Sequence, residues 1–225
     1  MATKTPLIIA YSGTLEAYEP PKNRWLKALL SLVWTYKNNS IDASTRSALY
    51  LIKAVAILKE RFGISPDELS IQLWGNIDAK HLEWFKSHNV SEYFTIEGFS
   101  DKNTSMQKLS KADLLFLPLE RATQKGQKTL FIPGKLYDYL KLRKPILALC
   151  EASDCKDLVV ASGLGFCFEP DQAEEIAKGL FPVIKQPQLL SALKPNEAVI
   201  NACSFSERTK SLASIFNNLL NDSNA

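Results

Sequence analysis

Five short, largely apolar runs set the frame of this chain: Leu7–Tyr11, Leu69–Trp74, Leu114–Leu117, Ile146–Cys150 and Leu164–Phe168, with Tyr93–Ile96 a weaker sixth. A strand with one face in water alternates apolar and polar residues. These runs stay apolar on both faces, as a parallel sheet covered by helices requires. Segments of helical period lie between them. Ser44 is placed to cap a helix with the apolar face Ala48, Leu51, Ile52, Val55, Leu58 and Phe62, ending at Gly63. Asp78 is the expected cap of a second helix, carrying Leu82 and Phe85. Asp171 with Glu174, and Ser204 with Glu207, form capping-box patterns ahead of Ile176 and Leu180, and of Leu212, Ile215, Phe216 and Leu219. The expected fold class is α/β, a doubly wound parallel sheet of about six strands with helices on both faces.

Composition narrows the function classes. The chain has 225 residues, 46% hydrophobic and 23% charged, which is ordinary for a globular protein. Its formal charge of +3 is too small to point to nucleic acid as the main partner. No run reaches the roughly 18 apolar residues of a membrane span, and MATKTPLIIAYSG lacks the long apolar stretch of a signal peptide. Cys150, Cys155, Cys167 and Cys203 form no CxxC pair, so neither a zinc site nor a disulfide framework is expected. A reduced, intracellular chain fits best. We expect a single domain over residues 1–225, with a helical insertion at about 15–43 and a C-terminal helix at about 204–220. The connection from Pro118 to Pro133 is longer than compact α/β units use, which favours a functional or a mobile segment.

In an open parallel sheet, ligands bind beyond the carboxyl ends of the strands, near the switch in strand order. Ser12-Gly13-Thr14, Gly75-Asn76 and Gly98-Phe99-Ser100 follow strands directly. Glycine there lets the backbone approach an anion, or simply makes the turn. No GxxxxGK[ST], no strand-to-helix GxGxxG, no HExxH and no GxSxG occurs, and His81 and His88 are expected on a helix surface. The most informative stretch is Phe131–Leu140, where Pro133-Gly134 starts a helix with Lys135 in its first turn. A cation there opposes the helix dipole, and an anionic ligand would compensate. Asp138, one turn later, suits a vicinal diol such as ribose.

The run IPGKLYDYLKLRKPILAL resembles the segment GKLYEYLAAGKPILAL in the nucleotide-sugar-binding half of group 1, family 4-like glycosyltransferases of the GT-B fold. Ile9–Leu15 is similar to the first strand and glycine loop of that half, and Ile71–Gly75 to its second strand. Thr95–Ser100 resembles its third strand and loop, Lys111–Pro118 its ADvlllP strand, and Ser162–Gly165 the glycine stretch near its last strand. The resemblance covers most of residues 6–185. It implies a cytoplasmic hexosyltransferase-like enzyme of polysaccharide biosynthesis, acting on a nucleoside-diphosphate sugar with no cofactor and no obligatory metal. Gly13 and Thr14 would meet the diphosphate, Gly98, Phe99 and Ser100 would lie by the base, Gly134 and Lys135 would face the phosphates, and Asp138 would take the ribose hydroxyls.

Two departures stand out. The first acid of the family's spaced Glu pair would fall at Leu130, and the family's basic donor-loop pair is displaced, with Lys22 and Arg24 as substitutes inside the insertion. Catalytic residues are therefore not assigned. The family also places its acceptor site in an N-terminal domain. Either this chain is an excised half, or the acceptor half is a separate chain. For the insertion, Trp25, Leu29, Leu32, Val33 and Tyr36 can share one helix face, flanked by Arg24, Lys27 and Lys37. Packing on the domain body or the missing half is favoured over peripheral contact of residues 24–37 with the inner face of a membrane. A non-catalytic nucleotide-sensing or scaffold domain of the same fold is the alternative, and a flavodoxin-like or receiver domain fits Ser12-Gly13-Thr14 poorly.

Overall fold

The computed structural model describes residues 5–17, 41–122 and 128–222. The helix expected over Arg24–Lys37, its neighbour Lys22 and the middle of the Pro118–Pro133 connection lie outside these residues.

Six strands form one parallel sheet: β1 (Leu7–Ser12), β3 (Leu69–Trp74), β4 (Phe94–Glu97), β5 (Leu114–Pro118), β7 (Ile146–Leu149) and β8 (Gly165–Phe168). Each falls within a residue of the run that announced it. The order β4-β3-β1-β5-β7-β8 puts the topological switch between β1 and β5. A short antiparallel pair that the sequence did not announce, β2 (Ile41–Asp42) and β6 (Arg121–Ala122), sits apart from the sheet.

Two apolar layers cover the sheet. On one face α1 (Leu49–Phe62), α2 (Lys80–Ser87) and α6 (Ala173–Lys185) pack on Leu7, Ile9 and Tyr11 of β1. On the other, α3 (Lys102–Ser110), α4 (Gly134–Leu142) and α5 (Asp154–Ala161) pack on Ala10, Leu115 and Ala148. The predicted face of α1 is fully buried at Ala48, Leu51, Ile52, Val55 and Leu58. Each of its larger side chains contributes about 1.5–3 kcal/mol by leaving water. Gly63, at φ 64°, closes this helix in the left-handed conformation that glycine adopts without strain.

The helix starts correct several expectations. Ser44 does not cap α1; it lies in a 3₁₀ turn that Asp42 caps, and α1 begins later, at Leu49. Asp171 and Glu174 form no capping box, because Arg121 takes the first carboxylate at 2.7 Å and Arg61 the second at 2.5 Å. Asp78 does accept from the Lys80 amide at 2.9 Å, from two residues before α2 begins. His81 is fully buried rather than on the surface: its Nδ1 lies 3.0 Å from the Asp78 carbonyl, and its Nε2 accepts from the Ala48 amide at 3.4 Å. Burial pushes its pKa down. Beyond α7 (Glu197–Ala202), helix α8 (Phe205–Asp222) begins as expected, with Ser204 Oγ accepting from the Glu207 amide at 3.3 Å. Its apolar stripe of Leu212, Ile215, Phe216 and Leu219 is 52–60% exposed rather than packed.

Candidate functional site

Two loops pass side by side at the carboxyl edge of the sheet. After β1 the chain turns at Gly13, whose φ of 137° few other residues adopt; after β3 it turns at Gly75, φ 112°. A side chain on Gly75 would run into the Gly13 carbonyl, so the two backbones are in close approach. The loops continue together, with the Leu15 amide donating to Asn76 O at 2.9 Å. Gly98, by contrast, has no positive φ, and a side chain there would meet nothing within 4 Å. The Gly13 amide donates to Trp74 O at 2.9 Å, so it serves the turn.

Helix α4 begins across the switch, on the far side of β5. Its N-cap, Pro133, provides no side-chain hydrogen bond, and no acid occupies its first turn. The second residue, Lys135, reaches back over the end of β1. Its Nζ would lie 2.8 Å from a Cβ on Gly13, donates to the Tyr11 hydroxyl, and sits 3.7 Å from the centre of the Tyr11 ring. That hydroxyl in turn donates to Thr14 O at 2.7 Å. Burial pushes the Lys135 ammonium down to about 7, and the positive charge of Arg46 acts in the same direction. Among the described residues, the amine meets a phenol and a ring but no carboxylate, so it stays available to an anion, whose arrival would restore its proton.

Asp138 and Lys135 project from the same side of α4 into a cleft of about 260 Å³ that also touches Ser12, Phe99, Ser100 and Tyr139. Phe99 is 91% exposed at its rim, and Ser100 Oγ is 2.9 Å from Ser105 Oγ. Tyr139 is buried and donates to Phe116 O at 3.1 Å, which anchors α4 on β5. Asp138 pairs across the cleft with Lys102 at 3.2 Å. The Lys102 side chain is 76% exposed, and so open an ion pair is readily exchanged for a ligand. Phe99, Ser100, Lys135 and Asp138 thus come together, Gly13 touches Lys135 and Gly134 opens the helix, while Thr14 faces a second opening. Gly98 does not line the cleft, and its backbone makes no demand for glycine.

Arg46 and Lys102 belong to the site although no motif marks either of them. Arg46 follows the turn capped by Asp42, and its charge bears on both Lys135 and Tyr11. Its only signal was position, a cation just before the amphipathic α1; the cations weighed for this place, Lys22 and Arg24, lie outside the described residues. Leu130, where an acid was sought, is 74% exposed. Among the described residues, no group of three or more His, Cys, Asp or Glu side chains is placed to hold a metal ion. No described helix is long and apolar enough to cross a membrane.

No protein-family model and no curated protein matches the sequence. Solved structures do match its shape. Anabaena HepE, solved with UDP and glucose, superposes at a TM-score of 0.58 and 15% identity over 95% of this chain and 49% of its own. A glycosyltransferase from Rickettsia africae gives 0.58 and 14%, over 96% of this chain and 48% of its own. The C-terminal domain of the group 1 glycosyltransferase LpcC from Francisella tularensis gives 0.54 and 12%, over 88% and 87%. This chain has the fold of the C-terminal half of a GT-B glycosyltransferase. It spans about half the length of the full GT-B chains it matches. At 12–15% identity the GT-B likeness is one of fold, and the local geometry must speak for the ligand.

Proposed function

We propose that this chain is the donor-binding half of a glycosyltransferase, and that it holds a nucleoside-diphosphate sugar at the switch between β1 and β5. The observation that carries the reading is the uncapped start of α4, with Lys135 laid against the Gly13 turn. Helix N-termini carry about half a positive charge, and their first amides point outward, which suits a phosphate. The diphosphate lies between Lys135 and Arg46. The nucleoside occupies the cleft of Ser12, Phe99 and Ser100, with Asp138 accepting from the ribose hydroxyls after releasing Lys102.

Transfer leaves negative charge on the departing diphosphate. Lys135, Arg46 and the amides at the start of α4 are placed to offset it. Positioning an acceptor and excluding water fall to a second half, supplied elsewhere in a longer polypeptide or by a separate chain. The reading places the protein in the cytoplasm, in polysaccharide biosynthesis. Because HepE was solved with UDP, UDP is the first nucleotide to try, with GDP and ADP beside it. Calorimetric titration should show one of the three binding, and Asp138→Ala should weaken it about tenfold. Silence from all three would leave the fold as a non-catalytic scaffold, which the exposed Leu130 in place of an acid also favours.

A further inference from the structure

A second opening, of about 280 Å³, lies beyond the Gly13–Thr14 turn and is lined by Thr14, Glu16, Ala43, Arg46 and Glu120. It adjoins the nucleoside cleft through that turn, with Lys135 against Gly13 on one side and Thr14 facing the new opening on the other. Among the described residues its chemistry differs from that of the first cleft, because two carboxylates and one guanidinium line it. Glu120 is the less exposed of the two. Its side chain is 16% exposed, and Arg46 stands 3.7 Å away, too far for a tight hydrogen bond. The backbone beneath it is held on both sides of Leu119. The Leu119 amide donates to Leu149 O at 3.0 Å, and its carbonyl accepts from the fully buried Thr45 hydroxyl at 2.7 Å. Arg121, next in the chain, is tied to Asp42 and Asp171.

Resting on the function proposed above, we infer that this second chamber receives the glycosyl group of the donor and that Glu120 restricts it to uncharged sugars, against uronic acids and other anionic ones. A diphosphate between Lys135 and Arg46 takes up the two cations. Glu120 then keeps a carboxylate that can only accept hydrogen bonds, which suits sugar hydroxyls. A carboxylate or phosphate on the sugar would meet that charge at close range, in a chamber partly screened from water.

The test is calorimetric titration of the full chain with UDP, UDP-glucose and UDP-glucuronate, or with GDP, GDP-mannose and GDP-mannuronate if GDP is the nucleotide that binds. The neutral sugar should bind at least tenfold more tightly than the uronate. In Glu120→Gln that ratio should fall below threefold, while the free diphosphate, whose partner Arg46 loses a neighbouring carboxylate, binds at least as tightly as before. In the unaltered protein, raising salt from 20 to 500 mM should narrow the ratio as the charges are screened, a readout that needs no variant. Equal affinity for the two sugars, or a ratio that survives both Glu120→Gln and salt, overturns the inference while leaving the donor site standing. Failure of every diphosphate to bind overturns both.

Discussion

Helices α3, α4 and α5 all begin at the carboxyl edge of the sheet, yet only two of them meet the needs of their own N-termini. Asp101 caps α3, accepting from the Asn103 and Thr104 amides at 2.9 and 3.0 Å. Ser153 caps α5 by accepting from the Lys156 amide at 3.0 Å, and Asp154 and Asp157 add charge to its first turn. Lys128 balances that pair at 2.7 Å from each. Helix α4 has proline where its neighbours have an acceptor, and a lysine where α5 has acids. Propensity alone would have supplied a cap. Of these three helices, α4 alone has neither a side-chain cap nor a first-turn acid among the described residues, and the proposed diphosphate would supply the charge that its start lacks.

The largest expected effect removes the floor beneath that arrangement. Gly75→Val puts a side chain into the Gly13 carbonyl at a φ of 112°, and should cost roughly 3 kcal/mol in chemical denaturation while abolishing diphosphate binding. Lys135→Met comes next. It removes a charge-assisted hydrogen bond worth about 1.5–3 kcal/mol to a bound anion, so affinity should fall about ten- to a hundredfold. The empty protein should melt no lower, since an apolar chain replaces an amine that burial already disfavours. A Met variant that binds as tightly as the original would place the anion elsewhere.

Exchanging the two kinds of helix start sharpens the contrast. Asp101→Ala should lower stability by about 1 kcal/mol and leave diphosphate affinity within twofold. Pro133→Asp, which gives α4 an acceptor of its own, should raise stability by about 0.5–1 kcal/mol and weaken the diphosphate. If both variants affect binding alike, α4 is not special.

The smallest effect is in pH. Lys135 has a folded pKa of about 7 against an ordinary 10.5. Between these values the unfolded chain holds more protons than the folded one, so this group makes the empty protein more stable as pH rises from about 7 to 10.5. Below about 7 the slope vanishes, and the folded protein carries the full cost of burying the charged amine. A bound diphosphate reverses the preference, so binding near pH 8 should take up close to one proton. Titrations in buffers of different ionisation enthalpy read this directly, and Lys135→Met should abolish it.

The six strands were legible because a run such as Leu114–Leu117 must lie between two helical layers wherever it falls in the fold. Gly13, Lys135 and Asp138 were legible as a group, since the turn after β1 and the start of a later helix share one edge in any doubly wound sheet. The caps were less so. Asp171 and Glu174 match a capping box letter by letter, but arginines 50 and 113 residues away in the chain claim them first. His81 looked like a surface residue because nothing in its own helix announces that the start of α1 covers it. Arg46 and Glu120, 74 residues apart in sequence, carry no mark of their meeting.

By itself, the amino-acid order determined the layers of this protein: which segments lie inside, which glycines turn the chain, and which helix opens with a lysine. Those properties are local, set by the spacing of apolar side chains and by the backbone angles each residue tolerates. Tertiary structure alone decided how the charges are shared out. It laid Lys135 on Tyr11 rather than on an acid, joined Asp138 to Lys102, and set Glu120 opposite Arg46. Coulomb energy depends on separation in space and on the water between two groups, and neither distance nor solvent is written along a chain.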